Sequence, residues 1–138
     1  MTEPNEQYAY FSITGDFDPD DISRLAGVAP TESWRKGDVN PRTQLERKFS
    51  RWSLYSRLDR TRELEAHIVD VIEQLAGNKG RFADLSSKHD GVMQLVGCFK
   101  TNYPGLHLGR ELVESLAEYA LSIDCDFYYL YSDRREDS

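Results

Sequence analysis

Cysteine is scarce in this sequence: only Cys98 and Cys125 occur among 138 residues. One lies inside a predicted strand and the other at the end of a predicted helix. Two such thiols build neither a disulfide framework nor a zinc cluster, and both are expected to be buried and free. Histidine is equally sparse, and His67, His89 and His107 stand at separations that match no metal-binding helix or hairpin. There is no G-x-S-x-G elbow, no phosphate-binding P-loop, no G-x-G-x-x-G fingerprint and no H-E-x-x-H pair. Hydrolase, kinase and dehydrogenase readings therefore start without a positive sign. The N-terminus, MTEPNEQ, has no basic region followed by an apolar run, and no stretch is long enough to span a bilayer. The expectation is a soluble cytoplasmic protein with no cofactor, no metal and no membrane partner.

Basic charge is in deficit. The 17 Lys and Arg against 24 Asp and Glu leave a net charge of −7, which repels a nucleic-acid backbone unless the basic residues gather on one face. No nucleic-acid partner is expected, whereas a basic protein would be attracted. What is present suits one globular domain. The length supports a single core, and 12% aromatic residues argue against a largely disordered chain. The expected organisation is a flexible N-terminus over 1–7, one domain over 8–132 and a flexible C-terminus over 133–138.

Along the chain, YAYFSIT (8–14) alternates Ala9, Phe11 and Ile13 with Tyr8, Tyr10, Ser12 and Thr14, the pattern of a half-buried strand. Asp18 then caps a short helix with Pro19 at its first position, Ile22, Leu25 and Ala26 on its apolar side, and Gly27 as its stop. PTESWRKGD reads as a brief strand closed by a turn at Gly37-Asp38, and the polar segment Val39 to Lys48 as the most mobile loop. FSRWSLYS forms another strand, with Trp52 and Leu54 on one face. Leu64, Ile68, Val71, Ile72 and Leu75 make one buried helical stripe ended by Gly77. Phe82 and Leu85 suggest one further helical turn. VMQLVGCFK is apolar on both faces and is expected inside the sheet. RELVESLAEYALSI continues at helical spacing through Ile123, and DFYYLYS closes the chain as an aromatic strand. These elements predict an α+β two-layer sandwich: a mixed, mostly antiparallel sheet of four to five strands with helices on one face, a ferredoxin-like variant.

Candidate sites compete with plainer structural roles. DFDPDD (16–21) alternates acids as calcium loops do, but the sixth and twelfth places hold Asp21 and Gly27 rather than Gly and Glu. Helix capping is the better explanation. Trp34 and Trp52 fall in or beside consecutive strands, either as an aromatic lining or, preferably, as core. Tyr128, Tyr129 and Tyr131 alternate faces, so one tyrosine face is expected at the surface, where such rings favour protein contacts. In KTNYPGLHLGRE (100–111), Tyr103, His107 and Arg110 surround a helix start whose amides would face an anion. The same stretch also works as a connection, with a turn at Pro104-Gly105 and Leu106 and Leu108 stapling the helix, and that reading is preferred.

Taken in order, Y-A-Y-F-S-I-T-G with D-P-D-D-I, P-T-E-S-W-R-K-G-D, W-S-L and I-D-C-D-F-Y-Y-L resemble the bacterial "domain of unknown function 4279" family, roughly from Tyr8 to Leu130. The resemblance implies a compact single-domain α/β protein with no activity to carry over. Its pattern includes Trp34, Gly37, Asp38 and Trp52. Members of such small bacterial families are sometimes found beside toxin genes as immunity proteins. The leading expectation is therefore a non-enzymatic protein-binding domain, an immunity-type inhibitor of a basic toxin or nuclease, monomeric or weakly homodimeric. The alternative is a small-molecule or anion-binding domain using the 103–110 loop.

Overall fold

The structure, a computed structural model, describes residues 3–131; the C-terminal segment 133–138 lies outside the described residues. Five strands, β1 (Glu6–Gly15), β2 (Glu32–Trp34), β3 (Ser50–Tyr55), β4 (Val92–Phe99) and β5 (Ser122–Tyr129), form one sheet in the order β2-β3-β1-β4-β5. Three pairings are antiparallel and the β4–β5 pairing is parallel. Helices α1 (Pro19–Ala26), α2 (Leu64–Leu75), α3 (Lys79–Lys88) and α4 (Arg110–Glu118) complete the chain. The protein is thus an α+β two-layer sandwich. β1 sits between β3 and β4, a split β-α-β arrangement of the ferredoxin-like kind, with a fifth strand added.

Alternation decides which face the helices cover. Ala9, Phe11 and Ile13 of β1, Trp52 and Leu54 of β3, and Met93 and Leu95 of β4 are buried against Ile22, Ile68, Val71, Leu75 and Phe82 of the helices. Phe11, Trp52 and Phe82 meet in tilted and edge-on pairs with centroids 5.5–6.0 Å apart, geometry worth about 0.5–1.5 kcal/mol per pair beyond area burial. Helix α1 starts as expected. Asp18 accepts from the Asp20 N–H at 3.0 Å, and Gly27 ends the helix at φ 72°.

Several boundaries differ from the sequence expectation. β1 begins at Glu6, two residues earlier than its alternation suggests. Leu25 is exposed rather than packed, because α1 turns Pro19, Ile22 and Ala26 inward. α2 does stop before Gly77, at Leu75, but a short 3₁₀ turn (Ala76–Asn78) leads directly into the ten-residue α3, which Phe82 and Leu85 anchor. The largest difference is at α4, which ends at Glu118. Ala120 adopts φ 56°, and the Leu121 N–H reaches back to Leu116 O at 3.1 Å, a Schellman-type stop without glycine. Ile123 and Cys125 therefore belong to β5. Cys125 is exposed and Cys98 half-buried, so neither is the buried thiol expected. Cys98 pairs with Tyr128 and Cys125 with Leu95, which puts the thiols on opposite faces of the sheet, out of bridging reach.

Candidate functional site

Among the described residues, no helix covers the second face of the sheet. Tyr10 of β1 lies directly opposite Tyr55 of β3, and their rings stack at 4.3 Å with 13° between planes. Tyr8 joins at 5.9 Å from Tyr55 and 6.4 Å from Tyr10, again nearly parallel. All three are half-buried. Cross-strand pairing explains the stack: direct and diagonal neighbours on one face lie within reach of aromatic rings. The Arg60 guanidinium covers Tyr8 at 4.0 Å from the ring centre. The rings thus offer their edges and hydroxyls outward, because their faces are taken by each other and by arginine. Burial, with help from Glu32, pushes the Tyr55 phenol up to about 12. Burial likewise raises Tyr10, against the opposing pull of Arg51. Both hydroxyls stay protonated and able to donate.

Trp34 extends this surface towards the β2 edge. It pairs with Arg51, its Nε1–H donates to Phe49 O at 3.1 Å, and the guanidinium groups of Arg47 and Arg51 lie 3.8 Å and 5.3 Å from its ring centre. The loop after β2 holds Arg47 there. Asp38 accepts from the Arg35 N–H at 2.9 Å, Gly37 takes φ 95°, Asn40 caps the Arg42 N–H at 2.9 Å, and Val39 bridges Glu46. Arg51 Nε and Ser53 Oγ of β3 are buried without hydrogen-bond partners among the described residues. At the opposite edge the same face carries Asp124 and Asp126, which pair with Gln94 and Val96 of β4. The open face therefore carries guanidinium groups, together with Glu32, at its β2–β3 side and carboxylates alone at β5.

The sequence candidates divide between this face and other places. Trp34 belongs to the face. Trp52 does not: it is fully buried on the helix side and donates to Ser23 Oγ at 3.1 Å. The two tryptophans cannot share a lining, because Trp52 pairs with Ser33 and Trp34 with Arg51, one residue out of phase. Asp38 is spent on its turn. Tyr103 and Tyr129 do come together, 5.7 Å apart, in a cluster with Phe99 and Phe127 on the helix side of the sheet, and Tyr131 is half-buried just beyond β5. His107 is exposed in a shallow recess with Glu63 and Glu65. Arg110 lines a neighbouring open groove of 730 Å³ between α2 and α4, with Glu65, Glu73 and Glu111. At the start of α4, the Gly109 N–H donates to Glu65 Oε2 at 3.2 Å, so the protein's own carboxylate sits where an external anion would bind.

One buried polar cluster invites a catalytic comparison. His67 Nδ1 lies 2.7 Å from Ser56 Oγ. Asp70, however, holds Arg57 through 2.7–3.3 Å contacts rather than bonding to the imidazole. Burial raises the Asp70 carboxyl, but the Arg57 and Gln74 hydrogen bonds outweigh it and hold the group below its ordinary range. Burial depresses His67. His67 is wholly buried and Ser56 half-buried; Ser56 Oγ also accepts from the Leu58 N–H at 3.1 Å, and the pair joins α2 to the segment after β3.

Sequence reasoning missed Tyr55, Arg51, Arg60, Asp124 and Asp126 as surface-site residues, although the phase of Tyr8 and Tyr10 opposite Ala9 and Phe11 already signalled a second tyrosine face. With this geometry in view, the comparison with known families is informative. Residues 5–130 match the family model described as a domain of unknown function (DUF4279). The chain belongs to this family. No curated protein and no solved structure matches it. Within the DUF4279 span fall the whole sheet, both tryptophans and the tyrosine stack. Among the described residues no helix is long and apolar enough to cross a membrane.

Proposed function

We propose that this DUF4279 domain is a non-enzymatic protein-binding domain whose open sheet face is the contact surface. The observation that carries this reading is the uncovered row of Trp34, Tyr8, Tyr10 and Tyr55 with interleaved arginines. Tyrosine, tryptophan and arginine are the residues enriched at the energetic centres of protein interfaces. Rings stacked on each other present hydroxyls and edges, which suits hydrogen bonding to a partner backbone better than stacking of nucleobases. The carboxylates at β5 and the net charge of −7 favour a partner that is basic where it meets that edge. An immunity-type inhibitor covering a basic toxin or nuclease is the specific form of this proposal. The alternative, an anion held by the 103–110 loop, gains no support, since Glu65 fills the helix start.

Affinity capture at low salt tests the reading, with tagged wild-type protein and a Tyr10→Ala/Tyr55→Ala variant of matching circular dichroism run in parallel. A single basic protein retained in stoichiometric amount by the wild type alone, and released by added salt, is the expected result. Equal recovery by both proteins, or by neither, would refute it.

A further inference from the structure

β5 has an unpaired outer edge. Its Ser122 N–H donates to Gly91 O at 3.1 Å, and the Leu130 N–H just after it donates to Phe99 O at 2.8 Å. With a strand period of two, the even-numbered residues bond to β4, and the backbone groups of Ile123, Cys125, Phe127 and Tyr129 point outward. Among the described residues no strand pairs with that side. Of the usual protections of an edge, β5 has only charge, at Asp124 and Asp126: its register with β4 runs uninterrupted from Ser122 to Tyr129, and it contains no lysine, no proline and no bulge. β2, the other edge, is only three residues long.

The side chains say what fits there. On the open face the strand carries Asp124 and Asp126; on the helix side Ile123 and Tyr129 are 43% and 54% exposed. Self-pairing in the registers that set Asp124 opposite Asp126, or Asp126 opposite itself, is opposed by like charge. A basic strand meets no such penalty. We propose that the β5 edge accepts an extended segment of a partner protein as a sixth strand, with Lys or Arg beside Asp124 and Asp126 and apolar side chains beside Ile123 and Tyr129. Main-chain hydrogen bonds would hold the segment, and the alternating side chains would select it. This inference rests on the protein-binding reading above and specifies the partner's chemistry.

The test uses the ¹⁵N-labelled full chain and a capped octapeptide alternating Lys and Val. On peptide addition, the amides of Ile123, Cys125, Phe127 and Tyr129 should gain protection from hydrogen exchange while those of the even-numbered residues, already paired, do not. The Asp124→Asn/Asp126→Asn variant should bind roughly two- to thirtyfold more weakly, as expected for two exposed charge pairs. A peptide N-methylated along its backbone should not bind. The peptide is read at the four edge amides and the capture experiment at Tyr10 and Tyr55, so failure of the edge and failure of the open face give separate results. The proposal is overturned if those four amides gain no protection, or if the N-methylated peptide or one alternating Glu and Val binds as well. It is also overturned if the four amides are protected in the protein alone and light scattering shows a dimer, since a second copy would then occupy the edge.

Discussion

Trp52 is wholly buried with its indole N–H satisfied by Ser23, so Trp52→Ala should lower unfolding free energy in urea by about 3–5 kcal/mol. Trp34→Ala, at a half-exposed ring whose main contacts are guanidinium groups, should cost less than about 1 kcal/mol; an equal loss at both positions would contradict the assignment. Residue type alone made these two tryptophans equivalent, and only the pairing register, Ser33 with Trp52 and Trp34 with Arg51, puts them on opposite faces. His67 adds a pH effect whose sign follows from its burial. Its folded value lies below the ordinary 6.5, so the unfolded chain binds more protons in that window. The stability associated with a neutral His67 is then present above pH 6.5 and is lost as pH falls towards the depressed folded value. Urea midpoints measured from pH 7.5 to 5 should decline, and His67→Gln should flatten that part of the decline. A profile unchanged by the substitution would remove His67 from the explanation.

At the scale of elements, the α4–β5 junction is the informative case. Leu112, Leu116, Ala120 and Ile123 keep helical spacing, and no glycine or asparagine marks a stop, so periodicity alone carries the helix too far. Ala120 ends it by entering the left-handed region at φ 56°, which disfavours a side chain by roughly 1–2 kcal/mol. Ala120→Gly should therefore raise stability by about 1 kcal/mol at unchanged urea m-value; destabilisation would mean that Ala120 does not hold this conformation. Strongly alternating elements were legible, since β1, β3 and the α2 stripe bury the residues their patterns chose, Ile72 alone being half-buried. Contacts between elements were not. A Cβ at Gly91, just before β4, would lie 2.5 Å from Ser86 Cβ and 2.8 Å from Ser86 Cα. α3 docks against the start of β4 at that point, and Gly91→Ala should cost about 1–3 kcal/mol, read as a lowered thermal midpoint.

For the whole molecule, the decisive feature is which side of the sheet the helices leave open. The phase of Tyr8 and Tyr10 separates two faces, but coverage depends on where α1, α2 and α3 dock, a long-range outcome that local patterning does not encode. Net charge was legible and its distribution was not. The sum of −7 conceals a face with Arg47, Arg51 and Arg60 at one side and Asp124 and Asp126 at the other. Such an arrangement orients a partner as well as attracting it, and association should slow with added salt as the steering field is screened. The central claim, that a partner sits on the tyrosine face, is tested most directly by photocrosslinking in cells, with benzoylphenylalanine replacing Tyr55 in one protein and exposed Glu73 of the helix layer in another. An adduct to a single protein from the Tyr55 position, and none from Glu73, is the expected result. Adducts from Glu73 alone, or none from Tyr55, would contradict it.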